Sequence, residues 1–272
     1  MIKGVDISVY QGNVNFQALK DNVDFVMIRS SYGNGYKDSD FEINRDGARA
    51  VGLCIGFYHF AYPQYNHPQA EADWFSSVVS CKPGEILALD FEITYSDPVG
   101  WTKAFLDRVA SNMGFKPMLY IEYSLAKSYD WSPVVDAGYG LWLALWDYNP
   151  DSTGWLTPWK TVAMRQYSDK GSVAGMSPVD MDVFYGTTDQ FKAYGNPAPP
   201  APEPVQPSVP AQAEVTSAND VVSVTTVEST PTAPTSGGTT PEPAPNPPMN
   251  NVISKLIATI KAWLKGLFTP KK

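Results

Sequence analysis

The sequence predicts an α/β fold, an irregular (β/α) barrel of about eight strands in which the later helices are short or missing. Three observations lead to this prediction: repeated β-rich apolar runs, helical patterns between the early runs, and a sharp change of composition after Gly195. With 272 residues and 43% hydrophobic content, the chain is long enough to bury a sizeable core. Beyond the barrel we expect a Pro-rich linker and a C-terminal amphipathic helix.

The predicted strands are short runs of β-branched, apolar and aromatic residues. They cover residues 5–10, 25–32, 54–62, 86–93, 117–123, 141–146, 161–167 and 181–186. Helical patterns, with apolar residues three and four positions apart, lie at 16–21, 40–52, 67–80 and 97–112. This repetition of strand and helix predicts a parallel sheet that closes into a barrel. The helical patterns fade after residue 123, so the second half of the barrel is expected to be abbreviated.

Composition divides the chain into three predicted parts. Residues 1–195 form the globular barrel. More than half of the 24 prolines lie in residues 196–249, mixed with Ala, Thr and Ser, which is typical of a disordered linker. Residues 250–272 are a predicted cationic amphipathic helix, because the apolar positions of 252–268 form one stripe. Such a helix suits an anionic membrane or envelope surface; docking on the barrel or self-association is the alternative.

Several classes of function are disfavoured. A formal net charge of −8 argues against a nucleic-acid partner, which needs a basic surface. No apolar stretch is long enough for a membrane span, and the N-terminus lacks the apolar region of a secretory signal, so we expect synthesis in a cytoplasm. Cys54 and Cys81 are expected to be reduced thiols. His59 and His67 fit no zinc-binding spacing, and no phosphate loop or GxSxG elbow occurs, so no metal or other cofactor is expected.

Two carboxylates at the end of one predicted strand are the most informative feature. In ILALDFEI, Asp90 and Glu92 are two residues apart and so share one face of the strand. At a barrel mouth, burial and mutual repulsion raise both pKa values. Glycoside hydrolysis needs a protonated carboxyl beside an ionised one, so Glu92, with the longer reach, is the predicted acid and Asp90 its partner. Alternatively both cap the next helix, although Ser96, Asp97 and Pro98 already supply that signal.

Further acids are expected at the same mouth. Asp6 ends the first predicted strand, and Asp180 and Asp182 lie on the last. Since the first and last strands are neighbours in a closed barrel, these acids are predicted to converge. Each one alone is equally well explained as a turn or cap residue.

Six short motifs occur in order within residues 1–195: GVDISVYQG, FVMIRSSYG, GFYHFAY, ALDFE, MRQYS and VDMDVF. They resemble the lysozymes of glycoside hydrolase family 25, which include many phage endolysins. The resemblance implies an irregular α/β barrel and an N-acetylmuramidase, which cleaves the β-1,4 bond between N-acetylmuramic acid and N-acetylglucosamine in peptidoglycan. By motif, Glu92 is implied as the acid, Asp90 as its catalytic partner, and Asp6 and Asp180 as outer acids. Asp182 stands where the motif more often has Asn, which leaves open which of Asp180 and Asp182 faces the sugar.

Residues near the strand ends are predicted to contact the sugar, with core packing as the alternative for each aromatic ring. The predicted substrate-binding residues are Asp182, Tyr58, Tyr62, Tyr120, Trp146, Gln166 and Tyr167. For Gln166, a polar contact inside the barrel is an equally good explanation. The sequence also leaves open whether Asp90 activates a water or orients the acetamido group of the substrate.

Three functions are therefore considered. The first is an active muramidase, a phage lysis protein made in the host cytoplasm and released to the wall by another factor. The second is a catalytically silent glycan-binding module, against which the retained acids argue. The third is a membrane-active lytic protein that acts through residues 252–268.

Overall fold

The computed structural model describes residues 1–155 and 157–196. The strands are β1 (Ile2–Ile7), β2 (Phe25–Tyr32), β3 (Tyr36–Lys37), β4 (Cys54–Phe60), β5 (Ile86–Asp90), β6 (Met118–Glu122), β7 (Leu141–Ala144), β8 (Met164–Val173) and β9 (Met176–Phe184). A 3-10 turn covers Val9–Gln11. The helices are α1 (Phe16–Lys20), α2 (Phe41–Ala50), α3 (Pro68–Val78), α4 (Pro98–Met113), α5 (Tyr123–Ser128), α6 (Ser132–Asp136) and α7 (Thr188–Tyr194).

Eight of these strands close into a barrel, which confirms the predicted fold class. Around the ring the order is β1, β2, β4, β5, β6, β7, β8 and β9, and β9 pairs back with β1. All neighbours from β1 to β8 run parallel. The short strand β3 pairs with the end of β2 outside this ring and was not predicted.

The last barrel strand corrects the prediction of a parallel sheet. β9 runs antiparallel to both β8 and β1, because a two-residue turn joins it to β8. In that turn Ala174 and Gly175 have φ values of 52° and 85°, the left-handed conformation that tight hairpins require. As a result, the beginning of β9 lies at the mouth where the parallel strands end.

The core has two layers, one inside the barrel and one between the barrel and its helices. Side chains alternate between the two faces of each strand, so Phe57 and Leu89 pack outward while Tyr58 and Ala88 pack inward. Both faces are buried, which explains why the strands read as nearly continuous apolar runs. Trp142 is one of the largest fully buried side chains and belongs to the inner layer.

The later helices are short or missing, as predicted. α5 and α6 span six and five residues, and the described part of the β7–β8 connection contains no helix. Here Arg165 on β8 points outward and is fully buried beneath the connecting loop. Its guanidinium pairs with Asp147 at 2.8 Å, lies 4.5 Å from the ring centroid of Trp155, and donates to Asn149 and Ser152. The loop therefore covers β8 in place of a helix.

The remaining predictions concern the C-terminal part of the chain, membrane-spanning helices and the two cysteines. The predicted linker, apart from residue 196, and the predicted amphipathic helix of 250–272 lie outside the described residues. Within 1–155 and 157–196, no helix has the length and hydrophobicity needed to span a membrane. Cys54 and Cys81 are free thiols.

Candidate active site

The acids predicted from the sequence meet at one mouth of the barrel. Asp90 is the last residue of β5, and Glu92 follows it by two positions. Asp6, near the end of β1, lies directly opposite Asp180 on β9. The parallel strands β1 and β5 thus bring three acids to their carboxyl ends, Asp6, Asp90 and Glu92, and the antiparallel strand brings a fourth, Asp180, near its beginning.

Asp90 and Glu92 form the first acid pair. Asp90 is 6% exposed, and burial together with the charges of Glu92 and Asp6 raises its pKa well above the ordinary value. The Glu92 residue is exposed to solvent as a whole, while the surrounding protein partly desolvates its carboxyl. This desolvation raises the pKa of Glu92 to about 7, although a hydrogen bond with Asp90 acts to lower it. Below about pH 7, Glu92 therefore carries a proton at the mouth.

The alternative that this pair caps the next helix is wrong. α4 begins at Pro98, and Oδ1 of Asp97 accepts a hydrogen bond from the backbone N–H of Gly100 at 2.9 Å. Among the described residues, no donor outside the acid pair meets the buried Oδ1 of Asp90. Asp90 and Glu92 are therefore directed toward each other and the mouth.

Asp6 and Asp182 form a second acid pair, deeper in the barrel. Asp182 on β9 is fully buried, in register with Gly4 on β1 and Gln166 on β8. Burial raises the pKa of Asp6 to about 6, against the lowering effect of hydrogen bonds with Gln166 and Asp182. Burial, followed by the charge of Asp6, raises the pKa of Asp182 well above its ordinary value. Asp180 is half-buried and lies nearer the mouth, since β9 enters the barrel from that side.

Gln166 links the deeper pair to two aromatic side chains. Its Nε2 donates to Oδ2 of Asp6 at 2.7 Å, while its Oε1 accepts from the Tyr120 hydroxyl at 2.9 Å and the Trp146 indole N–H at 2.8 Å. Two donors on Oε1 fix the orientation of the amide, so its NH₂ group must face Asp6. Gln166 is 3% exposed, and the internal polar contact considered for it is present.

One buried cation at the site was missed by the sequence prediction. Arg29 on β2 forms an ion pair with Asp38, with 2.8 Å between Nε and Oδ2, and both side chains are buried. Asp38 also accepts a hydrogen bond from the backbone N–H of Val9 at 3.2 Å, which holds the segment after β1 next to the ion pair. The charge of Arg29 lowers the pKa values of Asp6 and Asp90. The available signal was a charged residue inside the apolar run FVMIRSSY, because a buried charge needs a partner.

Residues 5–176 match the family model of glycosyl hydrolases family 25. The chain belongs to this family. Over 193 residues it is 33% identical to the autolytic lysozyme of Clostridium acetobutylicum, a match that covers 67% of this chain and 56% of that protein. It is 30% identical to the N,O-diacetylmuramidase of Arthroderma benhamiae, over 71% of this chain and 86% of that protein.

Solved structures agree with the family 25 assignment. The lysozyme of Streptomyces coelicolor has a TM-score of 0.63 and 25% identity, covering 72% of this chain and 97% of that one. The muramidase of Trichobolus zukalii has a TM-score of 0.61 and 27% identity, covering 72% and 99%. The resemblance inferred from the motifs is thus confirmed. The chain matches little more than half of the length of the autolytic lysozyme.

Two of the predicted sugar-binding tyrosines of this family 25 barrel are buried. Tyr58 and Tyr120 are 7% and 5% exposed, and both meet Trp142 edge to face, with ring centroids 6.0 and 4.7 Å apart. The Trp142 indole N–H in turn donates to Oδ1 of Asp182 at 2.8 Å. These rings form a packed floor beneath the acids, and contact between the tyrosines and a sugar stays a prediction.

An exposed pair of rings lies beside the mouth. Tyr62, which was predicted, is half-buried and stacks on Tyr65, which was not, with centroids 4.8 Å apart. Tyr65 is 64% exposed. The neighbouring Gln64 amide donates to the backbone oxygen of Thr94 at 3.4 Å, so this loop contacts the segment that carries Glu92. We refer to Tyr62 and Tyr65 as the tyrosine platform.

Trp146 and Tyr167 are the remaining predicted aromatic residues, and both are half-buried. Trp146 follows β7 and donates to Gln166, as described above. Tyr167 lies where the pairing of β8 shifts between Gln166 and Ser168. Burial, and after it the charge of Asp182, raises the pKa of Tyr167. Contact of either residue with substrate stays a prediction.

The buried histidine has a structural use. His59 on β4 has one ring nitrogen 2.9 Å from the Ser31 hydroxyl and the other 2.9 Å from Oε2 of Glu71. Glu71 also accepts from the backbone N–H of Tyr62 and the side-chain amide of Asn66, so it anchors the loop of the tyrosine platform. In the part of the chain that the structure describes, no group of three or more His, Cys, Asp or Glu side chains is arranged to hold a metal ion.

Proposed function

We propose that this family 25 protein is an N-acetylmuramidase, which hydrolyses the β-1,4 bond between N-acetylmuramic acid and N-acetylglucosamine in peptidoglycan. The observation that carries the proposal is Glu92, open to the cleft with a pKa of about 7 beside the buried Asp90. A glycosidic oxygen departs readily only when it receives a proton. A carboxyl that keeps its proton close to neutral pH is suited to supply it.

In this proposal Glu92 is the general acid and Asp90 assists it. When Glu92 transfers its proton to the leaving oxygen, it becomes a carboxylate in a desolvated site. The hydrogen bond with Asp90 favours the ionised form of Glu92, so it stabilises the charge that proton transfer creates. The same hydrogen bond also holds the Glu92 carboxyl in one orientation at the mouth.

Asp6 and Asp180 are the proposed outer acids, which would stabilise positive charge on the sugar ring in the transition state. Burial raises the pKa of Asp6 only to about 6, below the value of about 7 for Glu92. Between these values Asp6 is ionised while Glu92 is protonated. The two carboxyls therefore have the opposite protonation states that glycoside hydrolysis needs.

Two further observations support a peptidoglycan substrate. The tyrosine platform presents an exposed ring beside the acids, and sugar rings stack on such faces. The similar proteins are called lysozymes and N,O-diacetylmuramidases. We extend the substrate of those proteins to this chain as part of the proposal.

We further propose that the protein lyses bacterial cells in the manner of a phage endolysin, after synthesis in the host cytoplasm and release to the wall. Similar structures include the CTP1L endolysin, with a TM-score of 0.61 and 27% identity, and the catalytic domain of endolysin ply40, with 0.59 and 29%. Contact of residues 252–268 with an anionic membrane or envelope belongs to the same proposal. Deleting residues 249–272 should abolish leakage of anionic vesicles and leave hydrolysis of purified wall intact. Persistent leakage would remove the membrane role.

The bond specificity is tested by analysing the soluble products from purified peptidoglycan. After digestion, new reducing ends are converted to alcohols with borohydride and identified by mass spectrometry. Reduced N-acetylmuramic acid ends would support the proposal. Reduced N-acetylglucosamine ends would instead make the protein a glucosaminidase, and the absence of new ends would favour a glycan-binding module.

The role of Glu92 is tested by the substitution Glu92→Gln, which keeps the shape of the side chain and removes its titrating proton. We expect the rate of wall hydrolysis to fall by about 10²- to 10⁴-fold, the usual contribution of a general acid. Glu42→Gln is the matched control, because Glu42 lies on the surface of α2 in an exposed pair with Lys37. Wall hydrolysis that survives Glu92→Gln at the rate of this control would show the acid assignment to be wrong.

A further inference from the structure

Asp182 lies in a place that is unfavourable for a carboxylate anion. It is fully buried in the barrel interior, and the Trp142 indole N–H donates to its Oδ1 at 2.8 Å. Apart from neighbouring carboxyls, no donor among the described residues meets its other oxygen, Oδ2. A buried charge with one neutral donor is costly, whereas a protonated carboxyl needs only one acceptor for its O–H.

The neighbours of Asp182 strengthen this preference. The nearest charges are those of Asp6 and Asp180, both negative, and each disfavours ionisation of Asp182. The buried cation of the site, Arg29, is already paired with Asp38. The titratable groups that surround the barrel interior are Asp6, Arg29, Tyr58, Asp90, Glu92, Tyr120, Tyr167 and Asp180.

We propose that Asp182 keeps its proton in the working protein and donates it in a hydrogen bond to Asp6, so that it acts as a positioning residue for the Asp6 carboxylate. The side chains of Asp182 and Asp6 are hydrogen-bonded to each other. Gln166 Nε2 donates to Asp6 at 2.7 Å. The Asp6 carboxylate is then held by two neutral donors, one from each of the strands β8 and β9.

The chemistry decides which member of the pair holds the proton. Asp6 has the Gln166 amide as a donor and the positive charge of Arg29 in its vicinity, and both favour its ionised form. Asp182 has only the Trp142 indole, and burial raises its pKa well above that of an ordinary aspartate. The proton therefore resides on Asp182, and Asp6 carries the charge above about pH 6. The consequence for the reaction rests on the proposed function, but the protonation itself does not.

Asp182→Asn is the isosteric test of this proposal. The Asn side chain retains an oxygen that accepts from Trp142 and an NH₂ group that donates to Asp6, yet it does not titrate. Infrared difference spectra of the full chain, wild type minus Asp182→Asn, should show the C=O stretch of a protonated carboxyl at pH 8. A carboxylate band in its place at pH 8 would overturn the proposal.

Thermal unfolding gives a second readout that does not need activity. Asp182 is protonated when folded and ionised when unfolded at any pH between its two pKa values, so wild-type stability falls as pH rises through that window. The Asn side chain does not titrate, so the Asn variant lacks this pH-dependent loss of stability. Its Tm relative to wild type should therefore rise between pH 5 and 7, by roughly 3–5 °C per pH unit if one full proton is retained. A Tm difference that is independent of pH would contradict the proposal.

Rates of wall hydrolysis in Asp182 variants distinguish a positioning role of this residue from a purely structural one. Asp182→Ala removes both the acceptor for Trp142 and the donor for Asp6, and wall hydrolysis should fall by up to about 100-fold. Asp182→Asn should restore most of this loss, while Asp182→Leu, similarly branched but larger and apolar, should not. Equal loss in the Asn and Leu variants would refute the positioning role. A protonated Asp182 in a wild-type protein that does not cleave peptidoglycan would support the proton assignment and overturn the proposed function.

Discussion

The two acid pairs in this barrel differ in their access to solvent. In the pair at the mouth, Glu92 is exposed while Asp90 is buried. In the deeper pair, Asp6 and Asp182 are 7% and 0% exposed. Burial raises the pKa of every one of these carboxyls. A raised pKa alone therefore does not distinguish a proton donor for substrate from a proton that serves structure.

What distinguishes the pairs is where the proton can go. Glu92 is exposed at the mouth, and in the proposed function its proton passes to a bound sugar and is replaced from water. The proton proposed on Asp182 lies in the buried interior. The Asp182 carboxyl accepts from the Trp142 indole N–H and is hydrogen-bonded to Asp6, so this proton has no path to a bound sugar. In the two proposals, the same physical effect, desolvation of neighbouring carboxyls, serves proton transfer by Glu92 at the mouth and orientation of Asp6 deeper in the barrel.

Neutralising one buried acid of each pair gives the largest expected difference. Asp90→Leu should lower the rate of wall hydrolysis by about 10²- to 10⁴-fold, because Glu92 loses the hydrogen-bond partner that favours its ionised form, whereas an Asn side chain would keep a donor. Asp182→Asn, measured at the same pH, should lower it by no more than about tenfold. Circular dichroism checks that both variants are folded. Similar losses of hydrolysis rate in both variants would contradict the proposed difference between the two acid pairs.

Replacing Arg29, the buried cation at the site, should change pKa values in both acid pairs and also lower the stability of the fold. Arg29→Met leaves Asp38 buried without its ion partner, which should cost about 3–5 kcal/mol of unfolding free energy. It should also raise the pKa values of Asp6 and Asp90, since Arg29 lowers both. The measurement is urea unfolding, with Arg108→Met as the control because Arg108 pairs with Asp73 at the surface. A loss in Arg29→Met as small as in this control would argue against a buried charge at the site.

The pH dependence of the wild type follows from the proposed roles of Asp6 and Glu92 and from the pKa values of their carboxyls. Asp6, with a pKa of about 6, must be ionised, so activity should rise as pH increases toward 6. Glu92, with a pKa of about 7, must be protonated, so activity should fall above 7 by about tenfold per pH unit. The profile of kcat/KM on solubilised glycan strands should therefore peak between about 6 and 7. A flat profile from pH 7 to 9 would remove Glu92 as the acid.

Stability should follow a simpler course over the same range. All four carboxyls of the two pairs have raised pKa values when folded, so the folded state binds more protons than the unfolded chain above about pH 4. Their contribution to stability is complete below that pH and is lost as pH rises through the folded pKa values. Tm should thus decline from pH 5 to pH 8 while activity passes through its maximum.

The sequence predicted the barrel because its strands are buried on both faces and therefore read as apolar runs. It also revealed Asp90 and Glu92, since two acids that end such a run are conspicuous. The direction of β9 was not predicted, because its turn is Ala174–Gly175 rather than a strong hairpin signal such as Asn-Gly.

The parts of the site that the sequence did not reveal depend on contacts between distant segments. Gln166 lies 160 positions from Asp6, and only the closing of the ring brings them to 2.7 Å. Which tyrosines are exposed was equally hidden, because both faces of each strand are buried and loop geometry decides the rest. Tyr58 was predicted and is buried, while Tyr65, in the following loop, is exposed and was not predicted.

The tyrosine platform gives the smallest expected effect, since its rings belong to neither acid pair and Tyr65 is exposed at the surface. Tyr65→Ala removes the exposed ring, so KM for glycan strands should rise by about 3- to 10-fold while kcat stays within twofold, as expected for lost ground-state stacking. Tyr129→Ala is the control, an exposed tyrosine between α5 and α6. If Tyr65→Ala instead lowered kcat with KM unchanged, the ring would act on the acids in the transition state, and the separation between binding surface and acid pairs would have to be redrawn.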